Sequence, residues 1–216
     1  WRRPEAGFLT FKPGSKEWTA TRAISTSNGE EWKRRHARVN SGMRAKQHQE
    51  HFRFVMTNTI NERCPATESL IDPMRLGLQV ATDNTWNVLF GLNPKDFKEG
   101  NDSKIQEDVD RLLRGAMSPL TLLVPLDLPF LPYGRLLRSL RSLYDFFRRI
   151  AVSKIDDPDD SVVSLLLDQT STYEEVEQVI GDLVATYITG RDGPAASIAW
   201  TLLLLALHPT WQREIR

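Results

Sequence analysis

Thr189-Gly190-Arg191-Asp192-Gly193-Pro194 stands in the middle of the longest helical pattern in the chain, and its reading decides the fold. Upstream, Thr172-Tyr173-Glu174-Glu175 has the form of a capping box, in which a Thr hydroxyl and a Glu carboxylate three residues on satisfy each other's free amides. Val176, Val179-Ile180, Leu183-Val184 and Tyr187-Ile188 then recur at helical spacing. Beyond the interruption Ile198, Leu202, Leu205 and Ala206 resume the pattern, with Ala199, Trp200, Leu203 and Leu204 on the other sides. A helix that is apolar nearly all round is a buried one, so this segment is expected to run through the centre of the fold.

The interruption has two readings. Pro194 lacks an amide hydrogen and costs roughly 3 kcal/mol inside a helix. Two successive helices joined by a Gly-Arg-Asp-Gly turn, with Asp192 as cap and Pro194 at the first position of the second, would avoid that cost. Alternatively one long helix is broken locally to admit another body, with Gly190 and Gly193 letting it approach.

The rest of the chain reads as about eight helices with weak strand signals. Residues 1–24 are loop with a short helix at most. Ser27-Asn28-Gly29-Glu30 predicts a capped helix to about Val39, with Trp32, His36 and Val39 on one face. Further helices are expected over Ala45 to Glu62, Pro73 to Phe90, Ser103 to Ala116, Tyr133 to Ile155 and Val162 to Gln169. Pro119, Pro125, Pro129 and Pro132 among Leu and Phe mark a packed loop. The acidic run Asp156-Asp157-Pro158-Asp159-Asp160 reads as solvated loop and N-terminal cap for the next helix.

Composition narrows the function classes. The 216 residues carry 28 basic and 28 acidic side chains, so no net positive field favours nucleic acid, and no nucleic-acid partner is expected. Lys33-Arg34-Arg35 and the arginines between Arg135 and Arg149 are read as polar helix faces. The single Cys64 excludes an internal disulfide and any multi-thiolate zinc site. His48 and His51 share a face without a third ligand, and His208 reads as a helix-end residue. Thr201 to Leu207 is shorter than the ~20 apolar residues of a spanning helix. Trp1-Arg2-Arg3-Pro4 opens without the apolar run of a signal peptide. The expected setting is cytoplasmic, with anchoring by an N-terminal segment left open. Without an initiator Met, and with a helical pattern at its last residues, the chain is expected to be cut at both ends.

Taken in order, the motifs resemble those of the cytochrome P450 family. Thr189-Gly190-Arg191-Asp192-Gly193-Pro194, followed by an apolar run and His208-Pro209, is similar to the family's central helix, Ala/Gly-Gly-x-Asp/Glu-Thr-Thr. Trp32-Lys33-Arg34-Arg35-His36 resembles its Trp-x-x-x-Arg helix, with His at the last position. Trp86 to Leu92 resembles the helix ending in Phe-Gly, and Leu126 to Leu143 the connection between two helices that roof the substrate pocket.

The resemblance implies a mainly α fold, one partial domain over 1–216 with a long central helix surrounded by others, and a haem cofactor. It implies a haem-thiolate monooxygenase acting on a small organic substrate with O2 and a redox partner, a ferredoxin or a reductase. Trp32 and His36 would face the haem propionates, Gly190 would leave room at the ring, and Asp192 would serve a proton path. Gly193 stands where the family's usual Thr donates its hydroxyl, and Pro194 replaces the next Thr. The family's Glu-x-x-Arg helix and Phe-x-x-Gly-x-Arg-x-Cys ligand loop have no counterpart in these residues. No metal ligand is therefore assigned, Cys64 is read as a structural or surface thiol, and the chain alone is expected to hold haem weakly and to be inactive. The alternative is a haem-free helical binding or scaffold protein with the same fold remnant.

Overall fold

A computed structural model describes residues 14–43, 46–63, 70–93, 101–116, 134–167 and 172–215. In chain order these form α1 (Lys16–Thr21), α2 (Gly29–Met43), α3 (Lys46–Arg63), α4 (Pro73–Asn84) running into a π-helical turn (Thr85–Leu89), α5 (Asn101–Ala116), α6 (Gly134–Asp156), α7 (Val162–Leu166), α8 (Tyr173–Leu207) and α9 (Pro209–Ile215). No strand occurs among the described residues. Cys64 and the proline-rich passage lie outside them.

Local chemistry sets the helix starts. Ser15 accepts the Trp18 amide at 3.2 Å ahead of α1, and Asp72 accepts those of Met74 and Arg75 ahead of α4, where Pro73 takes the first helical position. The capping box of α8 forms as its sequence predicts, Thr172 Oγ1 accepting the Glu175 amide and Glu175 accepting that of Thr172. Two expected caps are absent. Ser27 instead donates its hydroxyl to the Ala23 carbonyl at 2.8 Å, and Glu30 turns outward to Lys33. Ahead of α7 the cap is Ser161, which accepts the Ser164 amide, while Asp159 of the acidic run accepts the Ser161 amide and the Ser164 hydroxyl.

The core gathers on the N-terminal half of α8. Val176, Val179, Ile180, Leu183, Val184 and Tyr187 are all buried, each worth about 1.5 to 3 kcal/mol if fully removed from water. Against them α6 packs an apolar stripe, Leu136, Leu140, Leu143, Tyr144, Phe147 and Ile150. An aromatic knot joins three elements: Trp86 lies 4.7 Å from Tyr187 and 5.2 Å from Phe90, and Phe147 lies 5.2 Å from Phe90, in tilted geometries.

At the end of the π turn, Gly91 adopts φ +60° and brings its backbone so close to Asp159 that a Cβ would lie on the carboxylate. Lys154 reaches the same carboxylate from α6. Lys154 and two serines outweigh the effect of burial and lower the Asp159 pKa to about 2.

Two expectations about the central helix are corrected. The stretch Thr189 to Pro194 neither breaks the helix nor divides it, because α8 runs on through Pro194 for 35 residues. Pro194 is exposed and removes one backbone hydrogen bond, while the buried N-terminal half of α8 and Ala195, packed against Gly77 of α4, hold the helix on either side of it. The second correction is burial. From Trp200 onward the helix is apolar yet largely exposed, with Trp200 64% and Leu207 65% accessible.

Candidate functional site

One face of α8 carries the geometry of interest. At about 100° per residue, Asp182, Thr186, Thr189 and Gly193 fall within about 60° of one another. Asp182 is buried, Thr186 half-buried, and Thr189 and Gly193 exposed, so the face opens progressively over about 16 Å.

Helix α2 closes its buried end. Arg35 enters the core, its side chain 6% exposed against 4% for Asp182. Its Nη1 donates to Asp182 Oδ2 at 2.9 Å and to the carbonyls of Gln178 and Arg22 at 2.8 and 3.1 Å. The other Asp182 oxygen accepts the Ile24 amide at 2.6 Å. Burial pushes the Asp182 carboxyl up, and Arg35 and the Ile24 amide pull against that shift. Alongside, a Cβ on Gly181 would lie 2.0 Å from the Arg22 carbonyl oxygen, so only glycine permits this approach. Glu31 bridges Arg22 and Arg35 at 2.7 and 3.1 Å, and the hydrogen bond from Arg22 lowers its pKa.

With the azimuth of α2 set in this way, Trp32 and His36 stack one turn apart, their centroids 4.8 Å apart at 27°. Trp32 is half-buried and His36 exposed.

The glycines of α8 differ in what surrounds them. Gly181 meets Arg22, and a Cβ on Gly190 would lie 3.0 Å from Thr85 Oγ1 and 3.8 Å from Leu89 of the π turn. The space left by Gly190 is thus used by α4 and its π turn. Gly193 has nothing within 4 Å of a built Cβ. An exposed glycine inside a helix costs up to about 1 kcal/mol relative to Ala, and no contact within the described chain explains it.

Arg191 points away from the open face, about 180° from Asp182, and is 5% exposed. Its Nη2 donates to Asp110 of α5 at 2.8 Å. Its Nε lies 3.2 Å from Asp192 Oδ1 without the alignment of a hydrogen bond, and Nη1 is buried with no hydrogen-bond partner. Burial works against the charge, but Asp110 and Asp192 offset it and hold the guanidinium above its usual pKa. Asp192 itself is half-exposed, between the open face and the Arg191 side.

Compared with known proteins, residues 10–216 match the sequence model of the family Cytochrome P450. The chain belongs to the cytochrome P450 family. Among curated P450 relatives, it is 29% identical over 102 residues to a cytokinin hydroxylase of Arabidopsis thaliana, covering 40% of this chain and 20% of that protein. Cytochrome P450 714A2 of the same plant is 45% identical over 38 residues, 18% of this chain and 7% of its own length. Cytochrome P450 714B3 of Zea mays is 33% identical over 72 residues, 31% and 14% respectively. The matches therefore span a fifth or less of each relative. The P450 family is one of haem-iron enzymes of monooxygenase type.

Of the residues singled out from the P450 motifs, Trp32 and His36 do share a face, and Asp192 and Gly193 lie at and beside the open part of α8. The sequence reading places Arg35 on a polar helix face, notes Arg191 within the central helix without a partner, and gives Asp182 no role. The signal was available: Asp182 and Arg191 are charges inside an otherwise apolar periodic run, and such charges are buried only with partners. His51 is exposed, and among the described residues no group of His, Cys, Asp or Glu is arranged to hold a metal ion. Nor is any described helix long and apolar enough to cross a membrane.

Proposed function

We propose that this chain forms the helical part of a P450 monooxygenase that lies over the oxygen-binding side of the haem, with the open face of α8 toward the ring. The observation that carries this is Gly193, an exposed mid-helix glycine that nothing in the described chain requires. A Cβ there would fill the space a bound body needs, and α2 borders the same face from its buried end.

These residues fit the group. The Trp32 indole N–H and the His36 imidazole are donors suited to a propionate carboxylate. Thr189 and Gly193 form the surface toward the ring. The half-exposed Asp192 carboxylate, beside the buried Arg191, can take a proton from solvent and pass it to water at Gly193. Bound there, haem iron supplies activation of O2 for insertion of one oxygen atom into an organic substrate, with electrons from a ferredoxin or a reductase. Gly193 has no hydroxyl to contribute, so proton delivery at this position depends on water or on the substrate.

Cys64 is the only thiol in the sequence and lacks the glycines of the P450 ligand loop around it. The chain by itself is proposed to be inactive. Its exposed Trp200, Leu203, Leu204, Leu207, Trp211 and Ile215 form the seam against the ligand-bearing part of a whole P450.

The test is a titration with ferric protoporphyrin IX, followed by NMR and by the spectrum of the reduced, CO-bound complex. Weak binding that broadens the Thr189 and Gly193 amides, weakens in His36→Ala and shows no thiolate-type Soret band is expected. A thiolate-type band from this chain alone would overturn the proposed inactivity. Unchanged Thr189 and Gly193 signals would overturn the site.

A further inference from the structure

We propose that the backbone carbonyl of Gly190 is a recognition site for ligands carrying a hydroxyl hydrogen. This rests on the reading of the open α8 face as the ligand side. In an α-helix the carbonyl of residue 190 takes its hydrogen from the amide of residue 194. Pro194 has none, yet the helix continues on both sides of it.

The neighbouring hydroxyls are committed elsewhere. Thr186 donates to the Asp182 carbonyl at 2.6 Å, Thr189 to those of Ala185 and Thr186 at 2.9 and 3.3 Å, Ser197 to Gly193 at 3.1 Å, and Thr201 to Ser197 at 2.8 Å. Gly193 and Pro194, the residues that flank the Gly190 carbonyl one turn on, are both exposed, and Gly193 puts no side chain over it.

With the residue-194 amide missing, this carbonyl lacks its usual intrahelical donor, and a donor from outside the chain satisfies it. A ligand docked over the exposed Gly193 and Pro194, at the edge of this face, gains by donating a hydroxyl hydrogen to Gly190 O, and its apolar part then lies along the Gly193 notch. An ether of the same shape makes no such bond.

The experiment uses the chain with a ¹³C-labelled Gly190 carbonyl and two probes, cyclohexanol and cyclohexyl methyl ether. The carbonyl shift is expected to report binding of the alcohol about fivefold tighter than the ether. In Pro194→Ala, which restores the amide donor without adding bulk, the ratio is expected to fall to about one. An equal response to the two probes, no response at Gly190, or discrimination that persists in Pro194→Ala overturns the proposal. The protoporphyrin titration reports separately on the face itself, so failure of the ring assignment and failure of the carbonyl assignment are distinguishable.

Discussion

Removal of the Asp182 carboxylate is the sharpest test of how α2 is fixed to α8. In Asp182→Ala the Arg35 guanidinium loses its 2.9 Å ion pair but stays buried, and the Ile24 amide loses its 2.6 Å acceptor. Breaking a buried pair from one side costs about 3 to 5 kcal/mol. Arg35 keeps the Gln178 and Arg22 carbonyls and Glu31, which places the loss at the lower end, about 3 kcal/mol. With a urea dependence of about 2 kcal/mol per molar, the unfolding midpoint followed by far-UV circular dichroism moves down by about 1.5 M. Arg35→Met/Asp182→Leu removes both charges and keeps volume, and is expected to recover most of the loss. A single variant within about 1 kcal/mol of wild type would refute the reasoning, as would a double variant no better than the single one.

Glycine substitutions separate internal packing from open space. Gly181→Ala drives a Cβ into the Arg22 carbonyl and should cost about 2 kcal/mol or more, a fall of roughly 5 °C in Tm, whereas Gly193→Ala should raise Tm slightly. Asp159 supplies a pH test. Its folded pKa of about 2 lies below the ordinary aspartate value of 3.8, so its contribution is complete above that value and is lost as pH falls from about 4 to 2. Because its side chain is 36% exposed, solvent screening reduces that contribution to about 1 kcal/mol, and Asp159→Asn should flatten the acid limb of a stability-versus-pH curve by that amount. At Arg191, Asp110→Asn should lower urea stability more than Arg191→Met, since the first leaves a buried guanidinium short of its partner and the second removes the charge.

The elements themselves were legible from period and punctuation. The apolar stripe on α6, the capping box of α8 and the Pro73 start of α4 are local signals that depend on residues three or four apart, and each helix formed where they stand. The side-by-side placement of Trp32 and His36 followed from the same periodicity, and the order of the motifs was enough to indicate the P450 family.

What the sequence could not decide were quantities set by pairs far apart in the chain. Whether Pro194 breaks a helix depends on how firmly its flanks are held, and the flanks are held by α4 and α6 packed on α8. Ser27 and Glu30 had the pattern of a cap, but Ala23 and Lys33 offered competing partners. Arg35 read as one cation of a polar face, and only Asp182, 147 residues away, turns it into a buried anchor. Gly190 and Gly193 are identical as letters. Tertiary structure gives the first a neighbour, Thr85, and leaves the second open, because contact between helices is determined by packing and not by spacing along one helix.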